Sequence, residues 1–343
     1  MRILSAFVAC VLMLCAAAAN AQEPVKWRYY SVIPASHDFG KRVVEGLKAI
    51  EDKTQGQLSI RFVFYGETPY KSTDALSVLK RGQVEMTEWL PSYSAGTYPL
   101  LAAPELPFLL PTISDPAAAQ AGIDRAWAAP AMKAELDRVM AENGGQMLTH
   151  YYYEPMNFWF TKPVKNVADF SGKRVRVFSP ELSELIEAFK ASPVSLGNPE
   201  VYSALQRNSL DGVITGVGNL GGGGQWKEVL RSGFIANPMF VSSSMLVNKE
   251  ALAKLPPKLR EVLLAELATL NKTLRAYMPE SDRTKKAELR GMANFTLTDA
   301  SAADYATMRK LTADNVWVAW KKRVGDKGAQ ALDEILKQVE TAK

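Results

Sequence analysis

Apolar and polar residues follow two different periods along the first third of the chain. Segments with a period of two, rich in β-branched and aromatic residues, are typical of strands. Between them, apolar residues recur every three to four positions, as on one face of a helix. The predicted elements are strands over 27–32, 58–64 and 84–89, a helix opened by His37 and Asp38 and closed by Gly56, and a helix over 75–81. This order predicts a mainly parallel sheet with helices packed on it.

The same order of elements returns downstream. The predicted elements there are strands over 174–178, 193–196 and 210–215, a helix over 181–190, and a helix that Asn198 caps and Pro199 opens. Residues 76–85 align without a gap on residues 202–211, so helix, basic residue, turn, strand and acidic residue recur in one order. Two such units predict two lobes of similar architecture, although any short amphipathic helix before a strand has this general pattern.

The last third of the chain is predicted to be mostly helical and too long to decorate a single lobe. Helices are expected over 256–292, 300–324 and 329–339, with a short extended segment over 295–298. The predicted division is a signal peptide over 1–21, the first part of lobe I over 22–151, lobe II over 152–238, and a return to lobe I followed by lobe-spanning helices over 239–343.

The first residues have the pattern of a cleaved secretory signal peptide. Arg2 precedes a long apolar run, and Ala19-Asn20-Ala21 is a small-x-small cleavage site. The run is shorter than the roughly 20 residues that cross a bilayer, and no other apolar stretch is long enough. The formal net charge of +5 is spread along the chain without a basic block, which argues against nucleic-acid binding. We expect a periplasmic protein whose two cysteines, Cys10 and Cys15, leave with the signal.

Motifs for catalysis, metals and cofactors are missing or incomplete. The two histidines, His37 and His150, have no H-E-x-x-H spacing, and neither a G-x-S-x-G elbow nor a phosphate loop occurs. Residues 216–221 fit G-x-G-x-x-G, but the four glycines at 221–224 are a poor start for a helix. We therefore expect no metal, no cofactor and no enzyme activity, and interpret this loop as ligand-facing or as a hinge.

An aromatic cluster and a basic strand are the best candidates for binding a ligand. Residues 151–160 are rich in Tyr, Phe and Trp, and Trp89 and Tyr93 follow a strand where ligand sites of open parallel sheets form. Alternation puts Arg174 and Arg176 on one face of their strand. Arginine can hold a carboxylate through two parallel hydrogen bonds, although a solvated edge strand is the simpler interpretation.

Several motifs in order resemble the core signature of the solute-binding proteins of TRAP transporters, the tripartite ATP-independent periplasmic class. The segments are 82–86, 167–172, 172–177, 200–206 and 210–212. The resemblance implies a two-lobed α/β fold of the periplasmic-binding-protein type, with a hinge and long C-terminal helices that span both lobes. It also implies an organic acid ligand, delivery to an ion-gradient-driven membrane permease, and Arg176 as the residue that binds the carboxylate.

Two departures from the family pattern bear on the ligand. Sialic-acid-binding members have an Asn where Thr215 stands, and a second Arg where this chain has Met156 beside Asn157. The charge balance favours a monocarboxylate with an apolar or aromatic body. The candidate ligand-binding residues are Arg176, Thr215, Phe178, Trp89, Glu154, Asn157, Asn198, Asn219 and Tyr30. A secreted hydrolase and a ligand-sensing partner of a membrane receptor are the alternatives.

Overall fold

The computed structural model describes residues 23–111, 115–221 and 225–340. The predicted signal peptide and residues 222–224 of the glycine run lie outside these ranges. The strands are β1 Val25–Ser31, β2 Leu58–Phe64, β3 Met86–Trp89, β4 Gly145–Met147, β5 Tyr151–Tyr152, β6 Met156–Phe160, β7 Arg174–Val177, β8 Ser192–Ser195, β9 Gly212–Thr215, β10 Ser232–Met239, β11 Ser242–Asn248 and β12 Thr296–Asp299. The α-helices are α1 Asp38–Lys53, α2 Ala75–Lys80, α3 Pro116–Trp127, α4 Pro130–Glu142, α5 Pro180–Ala188, α6 Asn198–Gln206, α7 Gly218–Gly221, α8 Lys249–Lys254, α9 Pro257–Arg290, α10 Ala302–Thr312 and α11 Val318–Glu340.

The two sheets of the described chain share one strand order. The first runs β2-β1-β3-β11-β4, with β5 also paired to β11, and the second runs β8-β7-β9-β6-β10-β12. In each sheet the first three strands are parallel and the fourth is antiparallel to the third. The helices α2 and α6 precede β3 and β9, which hold equivalent places. The aligned segments 76–85 and 202–211 therefore occupy matching positions in the two sheets.

Local capping fixes the ends of the helices that lead into the cleft. The Nδ1 atom of His37 accepts a hydrogen bond from the backbone N–H of Phe39, 3.2 Å away, and α1 begins there. Gly56 lies beyond the end of α1 with φ of +77°, a conformation that favours glycine. The prediction that Asn198 caps α6 is wrong by one residue. Gly197 is the cap, because the Glu200 carboxylate accepts from its N–H at 3.1 Å.

The chain crosses between the sheets on two adjacent segments. The first crossing joins β5 to β6, and the second joins β10 to β11. They are hydrogen-bonded to each other, since the N–H of Tyr153 donates to the carbonyl of Val241 at 3.1 Å. The pairing on the two sides is offset by one residue, since Tyr152 lies opposite Ser242 and Met156 opposite Met239. The lobe boundaries given above stay a prediction.

The C-terminal helices tie the two halves together. The long helix α9 contacts α1 and β5 on one side and α7 and β12 on the other, as predicted for a helix that spans both lobes. The last helix α11 is broken at Gly325, where φ is +68°. This break falls between the two helices predicted over 300–324 and 329–339. Of the helices in the described ranges, none is long and apolar enough to cross a membrane.

Candidate functional site

A cavity lies at the carboxyl ends of the parallel strands, where the two sheets face each other. Its unfilled space is about 460 Å³, including the opening to solvent. The wall is formed by the segments that follow β1, β3, β7 and β9 and by the two crossings. The lining residues are Val32, Ile33, His37, Leu90, Tyr93, Tyr153, Glu154, Met156, Arg176, Phe178, Asn198, Thr215, Gly216, Asn219 and Val241. Open parallel sheets bind ligands at this edge.

Arg176 is a buried cation on the cavity wall, with 2% of its surface exposed. Its Nε donates to the carbonyl of Leu196 at 2.9 Å, while the buried Nη2 has no hydrogen-bond partner among the residues that the structure describes. Burial lowers the pKa of the guanidinium, and the nearby hydroxyl of Tyr93 opposes that shift. A buried charge without a counter-ion is costly, so an anion that enters the cavity is strongly favoured next to Arg176.

Two aromatic rings stand beside the guanidinium. The Arg176 guanidinium carbon lies 5.0 Å from the ring centroid of Phe178, within range of a cation–π interaction. The ring of Phe178 is 5.9 Å from that of Tyr93, at an angle of 60°. Burial raises the pKa of Tyr93, although Arg176 opposes the shift, so its hydroxyl stays neutral. These rings offer an apolar surface next to the positive charge.

A pair of uncharged polar side chains lies at the end of β9. Asn219 Nδ2 donates to Thr215 Oγ1 at 2.8 Å, and the indole N–H of Trp159 donates to the carbonyl of Thr215 at 2.8 Å. Because Thr215 Oγ1 accepts from Asn219, its own hydroxyl hydrogen is left to donate to a ligand oxygen. Asn198 reaches the same cavity from the first turn of α6.

Glu154 and His37 form a second polar part of the wall, separate from Arg176. One Glu154 oxygen, Oε1, accepts from Ser281 Oγ at 2.5 Å and lies 3.8 Å from Lys285 Nζ. Burial raises the pKa of Glu154, and Lys285 opposes the shift. Burial lowers the pKa of His37 to about 4, so its ring is neutral at neutral pH.

A buried carboxylate behind the wall, Glu88, holds several cavity residues in place. It accepts hydrogen bonds on both oxygens, and its donors are Ser31 Oγ at 2.9 Å, the N–H of Val32 at 2.8 Å, Tyr151 Oη at 2.9 Å, Ser243 Oγ at 2.7 Å and Tyr153 Oη. Through Val32 and Tyr153 this network positions part of the cavity lining. Five donors around one carboxylate leave it fully satisfied without a ligand.

The structure brings six of the nine sequence-predicted residues to the cavity wall. They are Arg176, Thr215, Phe178, Glu154, Asn198 and Asn219. The other three lie outside it. Trp89 is buried in the core, and its indole N–H donates to Ser94 Oγ at 2.9 Å. Asn157 accepts from the N–H groups of residues 236 and 237, and the Tyr30 ring packs against Tyr65.

His37 and Tyr153 line the cavity, and neither is among the nine predicted ligand-binding residues. The sequence identifies His37 only as a helix cap. The residues that line the cavity beside its ring, such as Glu154, lie far along the chain, so no local pattern places His37 in a site. Tyr153 stands in the predicted aromatic cluster, but alternation alone does not show which of its rings faces a ligand.

Close contacts require glycine at position 218. A Cβ on Gly218 would lie 2.8 Å from each Glu154 carboxylate oxygen and 3.0 Å from His37 Nε2. Gly218→Ala is expected to lower the free energy of unfolding by about 1–3 kcal/mol, the usual cost of overpacking. Urea unfolding beside the control Gly96→Ala tests this, since a Cβ on Gly96 meets nothing within 4 Å. Equal stability of the two variants would contradict the prediction.

The chain belongs to a known family of binding proteins. The bacterial extracellular solute-binding protein family 7 matches residues 30–322. This confirms the resemblance to TRAP solute-binding proteins that the motifs around Arg176 indicate. One relative, a solute-binding protein of Albidiferax ferrireducens, is 24% identical over 239 residues, which are 68% of this chain and 68% of that protein.

Solved structures of the same architecture confirm the two-lobed α/β fold. An extracytoplasmic solute receptor of Bordetella pertussis that binds pyroglutamic acid has a TM-score of 0.79 and 20% identity, and the match covers 91% of this chain and 99% of the receptor. A sugar acid binding protein of Advenella mimigardefordensis, in complex with galactonate, has a TM-score of 0.82 and 16% identity, covering 94% and 99%.

Proposed function

We propose that this protein is the extracytoplasmic solute-binding subunit of a TRAP transporter. It captures a small organic monocarboxylate between its lobes and delivers it to an ion-gradient-driven permease. The observation that carries the proposal is the buried guanidinium of Arg176, which lines the cavity and whose Nη2 has no hydrogen bond to any residue in the described ranges. A carboxylate can accept two parallel hydrogen bonds from such a group, and a dry surrounding strengthens the ion pair.

The rest of the wall suits a ligand with an apolar or aromatic body. Phe178 and Tyr93 stand next to Arg176, and aliphatic side chains supply much of the remaining lining. Among the described residues that line the cavity, Arg176 is the one cation, and the polar residues Thr215 and Asn198 are uncharged. A single carboxylate balances it. The relatives support a small monocarboxylate, since one binds pyroglutamic acid and another galactonate.

Binding is favoured over hydrolysis by the hydrogen bonding of His37. Its Nδ1 already accepts from the N–H of Phe39, so the neutral ring carries its proton on Nε2 and cannot take one from a nucleophile there. Its pKa of about 4 also makes it a poor base at neutral pH. The cavity is therefore suited to hold a ligand without changing it.

The proposed location is the periplasm. Support comes from the signal-like first residues and from the family, whose members are extracellular solute-binding proteins. In this location the protein meets the ligand outside the inner membrane and presents it to the permease.

The ligand class is tested by thermal unfolding with a panel of acids, together with mass spectrometry of small molecules released by denaturation. We expect stabilisation by pyroglutamate and by aryl or branched monocarboxylates. Ligand at about 1,000 times its Kd adds about 4 kcal/mol to the free energy of unfolding. Stabilisation by succinate alone would overturn the monocarboxylate class, and stabilisation by galactonate alone would overturn the apolar or aromatic body. Binding of no acid at all would overturn the proposed function.

A further inference from the structure

An arginine on the last helix is paired with two carboxylates of the second lobe, outside the cavity lining. Arg323 on α11 bonds to Glu181 and Glu184 on α5, the helix that follows β7. Resting on the proposed function, we infer that these three residues form a clasp between the lobes. The clasp sets how tightly the cavity holds its ligand, although Arg323 does not touch the ligand.

The acidic side of the clasp continues directly from the cavity wall. Arg176 and Phe178 line the cavity, and α5 begins two residues after Phe178. The side chain of Ser179 caps this helix by accepting from the N–H of Leu182 at 3.3 Å. The helix α5 leads from β7 to β8, which pair in the second sheet. A movement of α5 away from α11 therefore moves Arg176 and Phe178 as well.

The basic side of the clasp is held by the first lobe, which contains the first sheet. The helix α11 contacts α3 and the segment Pro99–Glu105, and both lie in the connection from β3 to β4 of that sheet. Three residues before Arg323, the indole N–H of Trp320 donates to the carbonyl of Pro99 at 2.8 Å. Arg323 therefore reaches from a helix anchored on the first lobe to a helix of the second.

The burial of Glu181 makes this pair stronger than an ordinary surface pair. Arg323 Nη2 donates to Glu181 Oε1 at 2.7 Å, Nη1 donates to Glu184 Oε1, and the Glu181 side chain is 2% exposed. A buried carboxylate that loses its counter-ion is strongly destabilised. Because α5 also packs against residues 313–317, separating the lobes hydrates Glu181. Removing Arg323 therefore penalises the closed state more than the open state.

Ligand binding is linked to this penalty because both lobes contribute to the cavity wall. Phe178 at the end of β7 faces Tyr93, which follows β3 of the first sheet, and their ring centroids are 5.9 Å apart. A ligand enclosed by both lobes is held only while they stay together. Its apparent affinity falls with the fraction of the protein that is closed. Loss of the clasp is thus expected to speed ligand release without changing the order of preference among ligands.

The experiment compares Arg323→Met with Lys321→Met in the mature protein. Lys321 is the matched control, because it pairs with Asp333 on the same helix and both side chains are exposed. The probes are pyroglutamate, benzoate and 2-methylpropanoate, studied by calorimetric titration and stopped-flow fluorescence. We expect Arg323→Met to bind each acid about tenfold more weakly, by one common factor, with the change in the dissociation rate. Lys321→Met should bind like the wild type.

Two further variants and a measurement without ligand complete the test. Glu184→Gln, a milder change, should weaken binding by about threefold, as for a partly exposed ion pair. The double variant Glu181→Met with Arg323→Met should bind more tightly than Arg323→Met alone, because no buried carboxylate is left unpaired. In the ligand-free protein, hydrogen exchange of the α5 amides should be about tenfold faster in Arg323→Met and unchanged in Lys321→Met.

The outcomes separate the clasp from the proposed function. Unchanged affinity in Arg323→Met and Glu184→Gln would overturn the clasp, and so would unchanged exchange of α5. A loss that differs from acid to acid would show that Arg323 acts on the ligand and not on the lobes. A double variant as weak as Arg323→Met would remove Glu181 as the partner. If no acid binds the wild type, the proposed function falls, and the exchange of α5 still decides whether Arg323 joins the lobes.

Discussion

Arg176→Met is expected to lower the affinity for the bound carboxylate by about 100-fold or more while leaving the ligand-free protein at least as stable. Truncating one partner of a buried charged pair costs about 2–5 kcal/mol of binding, and about 1.4 kcal/mol is tenfold in affinity. Without ligand the balance differs. Within the described part of the chain, Nη2 of Arg176 has no hydrogen bond and burial disfavours the charge, so methionine removes a desolvation cost that offsets the lost hydrogen bond from Nε to Leu196.

Arg174 provides the control on the same strand. It is exposed, and its Nε lies 2.9 Å from Asp211 Oδ2 outside the cavity. Arg174→Met should bind ligand normally and lose at most about 1 kcal/mol of stability, as is usual for exposed ion pairs. Calorimetric titration gives the affinities and thermal unfolding the stabilities. Retained binding in Arg176→Met, or equal loss in both variants, would refute the assignment of Arg176 as the anchor.

Glu88→Ala is expected to lower the free energy of unfolding by about 3–5 kcal/mol. The substitution leaves five buried donors without an acceptor, and each unsatisfied group costs about 1–3 kcal/mol unless water enters. The donors come from β1, β5 and β11 as well as the first crossing, so the first sheet loses a shared anchor. Denaturant unfolding measures the effect.

Glu85 allows a matched comparison, because it lies just before β3 and pairs at the surface with Arg28 at 3.4 Å. Glu85→Gln should cost about 1 kcal/mol or less. Glu88→Gln should fall between the two, since an amide oxygen still accepts from part of the network. If Glu88→Ala unfolds at the same denaturant concentration as Glu85→Gln, the hydrogen bonds to Glu88 do not contribute to the free energy of unfolding.

The strands and helices of the two sheets could be predicted because each is specified by residues that are close together in the sequence. The segments 76–85 and 202–211 each contain a helix, a turn and a strand within ten residues, and they occupy matching places in the two sheets. Alternation placed Arg174 and Arg176 on one face of their strand, and the family motif then singled out Arg176. The strand ends and the aromatic cluster located the cavity in outline, without identifying every residue of its lining.

The remaining misplacements have a long-range cause. Glu88 is not among the predicted residues, because the donors that surround it include Tyr151 and Ser243, 63 and 155 positions away. Trp89 ends its strand as a ligand-facing residue would, but Ser94 binds its indole and Leu90 takes the place on the wall. Asn157 lies beside Met156, where related proteins have a second arginine, and its side chain holds the backbone of β10. Single-sequence patterns contain no information about such partners.

The paired crossings restrict how such a binding protein can diversify. Tyr153 donates to the carbonyl of Val241, and between this bond and the pair Met156–Met239 the two crossings already differ in length by one residue, so a further length change in either crossing alters the pairing of both. Length changes in the loops that follow the strands leave this pairing untouched. New specificities for this scaffold are reached by substitution at positions such as Glu154 and Met156, with the backbone beneath them unchanged in length.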